Sequence, residues 1–328
     1  MSVLVTGGAG YIGSHMVLSL VDAGRPTVVV DNLSTGVRAN VHRDAELVLA
    51  DIGDQPLMEG LMEKRGVEAI VHFAGSISVP DSISDPLGYY LNNTVKTRAL
   101  IQAAVNTGVK HFIFSSTAAT YGIAEVNPIT EDAPQNPISP YGASKLMSER
   151  MLADTAVAHD FRFVALRYFN VAGADPEGRS GQSTPRATHL IKVAAQAALG
   201  QRDRLEIFGT DYDTPDGTCI RDYIHVSDLA EAHTLALGHL EGGGESGIYN
   251  CGYGRGYSVR EVIAAVKQAS GVDFAVVEAP RRAGDPEALI AGADRIREAF
   301  GWQPKLDDLD RIVAHALAWE RHVASRAA

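Results

Sequence analysis

A tyrosine and a lysine four residues apart share one face of a helix, and Tyr141 and Lys145 stand so in Tyr141-Gly142-Ala143-Ser144-Lys145. An ammonium one side chain away favours a phenolate, and an oxidised nicotinamide adds a second positive charge, so the tyrosine can act as a base near neutral pH. Upstream, Phe114-Ser115-Ser116-Thr117 closes an apolar run, and Thr117 is placed to hydrogen-bond the same substrate hydroxyl. A Tyr/Lys pair by itself is ordinarily an exposed helix face. Its chemistry depends on a dinucleotide lying beside it.

The beginning of the chain has the means to hold one. Val3-Leu4-Val5-Thr6 runs into Gly7-Gly8-Ala9-Gly10-Tyr11-Ile12-Gly13 and then an amphipathic segment carrying Met16, Val17, Leu20 and Val21. This reads as strand, glycine turn and helix, in which glycines let the backbone approach a pyrophosphate that meets free N–H groups and the positive end of the helix. Gly8, Gly10 and Gly13 fit one spacing of such loops, and Gly7, Gly10 and Gly13 another. The next apolar run, Thr27 to Val30, ends in Asp31, 18 residues beyond Gly13. A carboxylate there accepts both ribose hydroxyls and repels a 2′-phosphate, which predicts NAD over NADP.

Elements able to position these residues are legible along the first half. Apolar runs at 2–6, 27–31, 46–50, 69–73, 111–115 and 161–167 read as buried parallel strands. Helical patterns lie between them at 11–23, 55–64, 91–106 and 141–159. The alternation predicts an α/β fold, a doubly wound parallel sheet of the Rossmann type, with a smaller C-terminal α/β substrate-binding lobe. The first domain is expected over 1–170, and 171–328 is expected to be mainly the substrate lobe, with segments crossing back to the first domain. Helices are expected near 186–199, 227–240 and 258–270, and exposed loops at 209–218 and 241–245.

Bulk properties restrict the class. The 328 residues exceed one ordinary core, and 45% hydrophobic with 21% charged residues suits a globular chain. A net charge of −11 argues against nucleic acid, which needs a basic face. It leaves room for nucleotide ligands held by backbone N–H groups and a few arginines. Two cysteines, Cys219 and Cys251, no signal-peptide layout and no long apolar run predict a cytoplasmic protein with reduced thiols and no membrane span. Histidines at 72, 111, 159, 225 and 233 show no metal-ligand spacing, so no metal is expected.

With these motifs in order, the chain resembles the extended short-chain dehydrogenase/reductase family and, within it, the bacterial UDP-glucose 4-epimerases. The resemblance runs from Thr6-Gly7-Gly8-Ala9-Gly10-Tyr11-Ile12-Gly13-Ser14-His15 to Ala279-Pro280-Arg281-Arg282-Ala283-Gly284-Asp285. It implies that NAD is held by Gly7, Gly10, Tyr11, Ile12 and Gly13, by Asp31, Asn32, Leu33, Ser34, Thr35 and Gly36, and by Asp51, Ile52, Phe73, Ala74, Gly75, Asn92 and Ser115. Tyr141 and Lys145 belong to the same contact, Lys145 reaching the nicotinamide ribose, and Phe169 lines the nicotinamide pocket. For a UDP-hexose the resemblance implies Thr117, Asn170, His189, Leu190, Glu206, Ile207, Phe208, Arg221, Arg282, Asp285 and Leu289. Two arginines from separate segments suit a diphosphate through planar, bidentate donors. Related enzymes pair through two helices, which implies a homodimer built on 91–106 and 141–159. The apolar residues of those helices equally suit packing on the sheet.

Three positions depart from the family pattern. Ile77 replaces a lysine near the cofactor, His189 replaces an asparagine, and Leu289 occupies a position where tyrosine excludes N-acetylated sugars and a small residue admits them. The alternatives are an epimerase of N-acetylated or pentose UDP-sugars, a 4,6-dehydratase, and a non-catalytic NAD-binding protein on the same fold. A dehydratase carries Thr-Asp-Glu where this chain has Thr117-Ala118-Ala119, and two methyl groups shuttle no protons.

Overall fold

The computed structural model describes residues 2–184, 188–282 and 284–327. Its strands are β1 (Ser2–Thr6), β2 (Thr27–Asp31), β3 (Glu46–Leu49), β4 (Val67–His72), β5 (His111–Thr117), β6 (Arg162–Tyr168), β7 (Asn170–Ala172), β8 (Leu205–Phe208), β9 (Ile220–His225), β10 (Gly247–Cys251), β11 (Gly256–Ser258), β12 (Val276–Ala279) and β13 (Ala288–Leu289). The helices are α1 (Tyr11–Asp22), α2 (Gln55–Arg65), α3 (Val79–Ser84), α4 (Pro86–Tyr89), α5 (Lys96–Thr107), α6 (Pro140–Ala158), α7 (Leu190–Ala198), α8 (Val226–Glu241), α9 (Val259–Ser270), α10 (Asp294–Phe300) and α11 (Leu309–Ala327).

Seven strands form one parallel sheet in the order β10-β6-β5-β4-β1-β2-β3. Both faces are covered, which is why its strands read as continuous apolar runs. Alternation along β1 sends Val3 and Val5 to a core with Met16, Val17 and Leu20 of α1 and Leu229, Ala232 and Ala236 of α8. Leu4 faces the opposite core, with Met58 and Met62 of α2, Leu100 and Ile101 of α5 and Leu152 of α6. Strand order reverses beside β1, and in open α/β sheets ligands bind at that crevice beyond the carboxyl ends of the strands.

A third core gathers α7, α9 and α11 around Leu205 and Ile207 of β8 and Tyr223 of β9. There β8 pairs with β12, while β9 is flanked by β11, β13 and β7. The chain returns to the seven-stranded sheet through α8 and β10, the latter pairing with β6.

The structure corrects several boundaries. The helix expected from Leu91 begins at Lys96, and residues 90–95 form a π-helical turn before it. Of the helix expected near 186–199, residues 186 and 187 lie outside the described residues and α7 spans Leu190–Ala198. The loop at 209–218 is not exposed throughout, because Tyr212 and Thr218 are buried. Residues 241–245 are exposed or half-exposed, as expected. β10, α10 and α11 had no sequence-based expectation. Among the described residues no helix is long and apolar enough to cross a membrane.

Candidate active site

The glycine loop leaves β1 at the switch point and each glycine has its own reason. Gly7 has φ +71° and lies so close to Ala74 that a Cβ would sit 2.6 Å from the Ala74 nitrogen. At Gly13 a Cβ would run into the Gly7 carbonyl, so only glycine lets α1 pack onto the turn. Gly10 differs: its Cβ would meet only the Gly7 oxygen, at 3.1 Å, and otherwise open space. It is also the N-cap of α1 and supplies no side-chain cap, leaving the first N–H groups to an outside acceptor. This cradle fits a pyrophosphate. Gly13→Ala is expected to destabilise the fold by about 1–3 kcal/mol through overpacking and to lower the dinucleotide content of the purified protein. Gly60→Ala, in an open part of α2, is the control, expected to be neutral or slightly stabilising. Thermal unfolding and the absorbance of released dinucleotide read both.

Asp31 is buried at the end of β2 and tied to this loop. One carboxylate oxygen accepts from the Ala9 N–H at 3.0 Å, the other from the Leu33 N–H at 2.8 Å. Leu33 holds φ 57°, strained for a non-glycine residue. Gly36 packs onto the same carboxylate, while Asn32, Ser34 and Thr35 are exposed around it. Asp51 forms an ion pair with Lys96 at 2.5 Å and accepts from the Gly53 N–H. Burial raises its pKa, but these partners outweigh it and hold the carboxyl below its usual range. Ile52 is buried in the core, and Tyr11 donates through its hydroxyl to the Gly173 carbonyl at 2.7 Å. Ile12, Phe73 and Phe169 pack against the core on the α1 face, and Ala74 against the opposite one.

Thr117 ends β5, and Ser139 caps α6 by accepting the Gly142 N–H at 3.2 Å. Gly142 lies against the Ala119 carbonyl too closely for any Cβ, and this contact brings the start of α6 onto the turn that follows Thr117. The Tyr141 phenol lies beside the Thr117 side chain, which pulls its pKa down. Lys145 is buried, donating to the Ser115 carbonyl at 3.0 Å with its ammonium 4.9 Å above the Phe114 ring. Burial pushes the Lys145 ammonium down to about 8, against the opposing pull of Glu149. Burial also pushes the Tyr141 phenol up, with only partial relief from Thr117. Lys145 contributes no shift to the phenol, and desolvation sets its direction.

Behind this pair is a buried network that the sequence reading did not single out. Asn93 takes the Ser76 N–H at 2.7 Å and donates to Ser76 and to Ser144 of α6, whereas Asn92, the expected ligand, is half-buried and donates to Ser76 at 3.0 Å. Glu149, one turn beyond Lys145, pairs bidentately with Arg167 at 2.9 and 2.5 Å and accepts from Ser116. Arg167 stacks over Tyr121, whose hydroxyl donates to Asn250 at 2.7 Å, and Asn250 holds the Ile129 carbonyl. Tyr141, Lys145 and Glu149 repeat at four-residue spacing, so Glu149 was findable by extending that face. Asn250 was not, because only β10 brings it there.

Of the residues expected to hold the sugar nucleotide, Thr117 ends β5 of the large sheet and the others lie on or beside β7, α7, β8, β9 and β13. Arg221 of β9 pairs with Asp285 at 2.5 Å and donates to the Pro286 carbonyl. The Arg282 guanidinium stacks 3.8 Å from the Phe208 ring centre. In β8 the Ile207 side chain is buried, whereas Glu206 is exposed and Phe208 half-buried, so Ile207 offers a ligand only its backbone. Leu289 pairs with Arg221 in the β13/β9 ladder and packs against Ala118, Tyr121 and Ile129. Asn170 opens β7, and His189 and Leu190 start α7, with Asn170, His189 and Leu190 lining one cleft. Ile77 is exposed.

The family model described as the NAD dependent epimerase/dehydratase family matches residues 3–252. A UDP-glucose 4-epimerase of Azospirillum brasilense is 60% identical over 319 residues, 97% of this chain and 92% of that protein. The crystal structure of UDP-glucose 4-epimerase from Brucella ovis in complex with NAD superposes with a TM-score of 0.94 at 48% identity, covering 97% of both chains. That of a Stenotrophomonas maltophila UDP-glucose 4-epimerase with bound NAD and formylated UDP-arabinopyranose gives 0.96 at 39% identity, covering 100% of both.

Proposed function

The chain belongs to the NAD dependent epimerase/dehydratase family, and from that premise we propose that it interconverts UDP-galactose and UDP-glucose by inverting C4 of the sugar. The observation that carries the reading is the Tyr141 phenol set beside Thr117, with Lys145 buried beneath, at the carboxyl edge of a sheet whose glycine loop fits a pyrophosphate. Residues of the first lobe hold NAD, and those of the second, with Thr117, hold the UDP-sugar.

Bound NAD supplies reversible oxidation of the C4 alcohol to a ketone. Tyr141 takes the proton from the 4-hydroxyl and later returns it, and Thr117 hydrogen-bonds the same oxygen. Lys145 would hold the nicotinamide ribose, its ammonium, lowered to about 8, still mostly charged at neutral pH. The resting phenol is protonated, and the positive charge of the oxidised nicotinamide lowers it when the site is filled. Arg221, Arg282 and Asp285 grip the diphosphate and ribose, with Asn170 and His189 beside them. A firm hold at the nucleotide leaves the hexose free to turn its other face toward the ring, and remote binding energy retains the ketone.

The dehydratase reading has no support at Ala118 and Ala119, since Ala118 is buried and neither residue titrates. The working assembly is proposed to be a homodimer. Leu87, Leu91, Val95 and Met147 are exposed large hydrophobic residues on α4, the π-turn and α6, on the outward side of the helices expected to pair. A cytoplasmic setting is proposed as well, since both cysteines are free and buried.

Purified protein incubated with UDP-galactose, without added cofactor, is expected to form UDP-glucose with NAD carried from the cell. Absence of product with NAD bound and every other UDP-sugar inert would overturn the reading. Turnover confined to N-acetylated or pentose UDP-sugars would replace the substrate.

A further inference from the structure

His189 occupies the N-cap of α7, yet its side chain caps nothing. It lines a cleft together with Asn170, Gln182, Tyr223 and Trp319. Its Nδ1 lies 2.7 Å from the Gln182 carboxamide nitrogen. An amide NH₂ only donates, so Nδ1 must accept and the ring proton resides on Nε2. No group among the described residues pairs with Nε2.

Gln182 is itself fixed. It is buried, and its backbone carbonyl accepts from the Lys192 ammonium at 2.7 Å. Lys192 is in turn ion-paired with Glu320 of α11. Its neighbour Gly181 lies flat against the Trp319 indole, where any Cβ would clash. Burial, with the Lys192 charge second, holds His189 below its usual pKa, so the imidazole is neutral and its tautomer decides what it can do.

We propose that Gln182 is a positioning residue for the sugar nucleotide: it locks His189 as the Nε2–H tautomer, so that the histidine presents one N–H donor to a phosphate or carbonyl oxygen of the ligand. The inference rests on the reading of His189 as a substrate-binding residue. It also explains how the departure from asparagine is tolerated, since the locked imidazole, like a carboxamide, offers an N–H to an oxygen acceptor.

The test is a double-mutant cycle read by UDP titration and steady-state kinetics, with long-range ¹⁵N correlation spectra of the histidines. Gln182→Met keeps the length of the side chain and removes the donor. It is expected to weaken UDP binding and raise KM three- to tenfold, with kcat at saturation within twofold. In a His189→Asn background the same change is expected to alter affinity by less than twofold. The wild-type spectrum is expected to show His189 protonated at Nε2, and Gln182→Met a mixture of tautomers. A His189 protonated at Nδ1 in the wild type, or an equal loss in both backgrounds, would overturn the role of Gln182. If His189→Ala leaves UDP affinity unchanged, the substrate-binding reading of His189 fails instead, and the proposal with it, even where the spectrum shows the Gln182 contact intact.

Discussion

Tyr141→Phe is expected to lower kcat for UDP-galactose by about 10³, within the 10²–10⁴ range of a positioned general base, and to leave KM within a few-fold. The reasoning separates grip from chemistry. In the proposed reading, affinity for the nucleotide comes from Arg221, Arg282 and Asp285, none of which the substitution touches. The lost hydroxyl only neighbours Thr117, so the fold keeps its packing and the melting temperature should move by no more than a few degrees. Thr117→Val removes the second hydrogen bond to the same oxygen but not the base, and is expected to cost roughly one to two powers of ten less. Stopped assays of UDP-glucose formation measure both variants. Turnover by Tyr141→Phe at the wild-type rate would show that another group takes the proton.

That prediction draws on residues read directly from the sequence, and the reason they were legible is local. Strands buried on both faces must be continuously apolar, so the runs at 2–6, 27–31 and 111–115 reveal themselves. Glycines that cannot carry a Cβ are fixed by contacts within one turn, as Gly13 is by Gly7. Helical spacing likewise joins Tyr141 to Lys145. What stayed hidden depends on contacts distant in sequence. β10 carries Asn250 into the network behind Thr117 by pairing with β6, about 80 residues earlier, and no periodicity in Gly247-Ile248-Tyr249-Asn250-Cys251 announces it. The π-turn at 90–95 defeats a 3.6-residue reading and moves the start of α5 to Lys96. α11 is a different case: Leu309, Ile312, Val313, Ala316 and Leu317 follow helical spacing, so its signal was present. The desolvation of Tyr141 was not legible, because charge proximity can be guessed from spacing, whereas desolvation depends on the whole fold.

Desolvation also sets the second large effect, a collapse of stability in mild acid. Burial, the largest cause in each case, lowers His15 and His233 to about 4 and His72 and His225 to about 3. Each is built as a neutral ring. His15 and His233 bond through Nδ1 to the carbonyls of Tyr11 and Leu229, while Nε2 of both is buried without a partner, so protonation would strand an N–H in apolar surroundings. His225 accepts the Ser227 N–H at Nδ1 and therefore donates through Nε2 to His315, an arrangement that two charged rings would break. His72 bridges Thr6 and Thr97 directly beneath the glycine loop. Because the folded pKa values lie below the unfolded value of about 6.5, the unfolded chain binds more protons between them, and stability is full above that value and lost as pH falls. At pH 5.5 each histidine is expected to cost on the order of 1 kcal/mol relative to pH 7.5, so together they remove several kcal/mol of a total that is ordinarily about 5–15. Carboxylates held low by partners, such as Asp51 and Asp175, lose their contribution mainly below about pH 4, and Asp222, held high by burial, opposes the loss, so a fall in stability between pH 6.5 and 4.5 is carried by the histidines. Urea unfolding followed by circular dichroism at pH 7.5, 6.5 and 5.5 measures the effect. A midpoint that stays constant across that window would mean that these rings are solvated or already charged, and the buried contacts drawn around α1 and α8 would have to be redrawn.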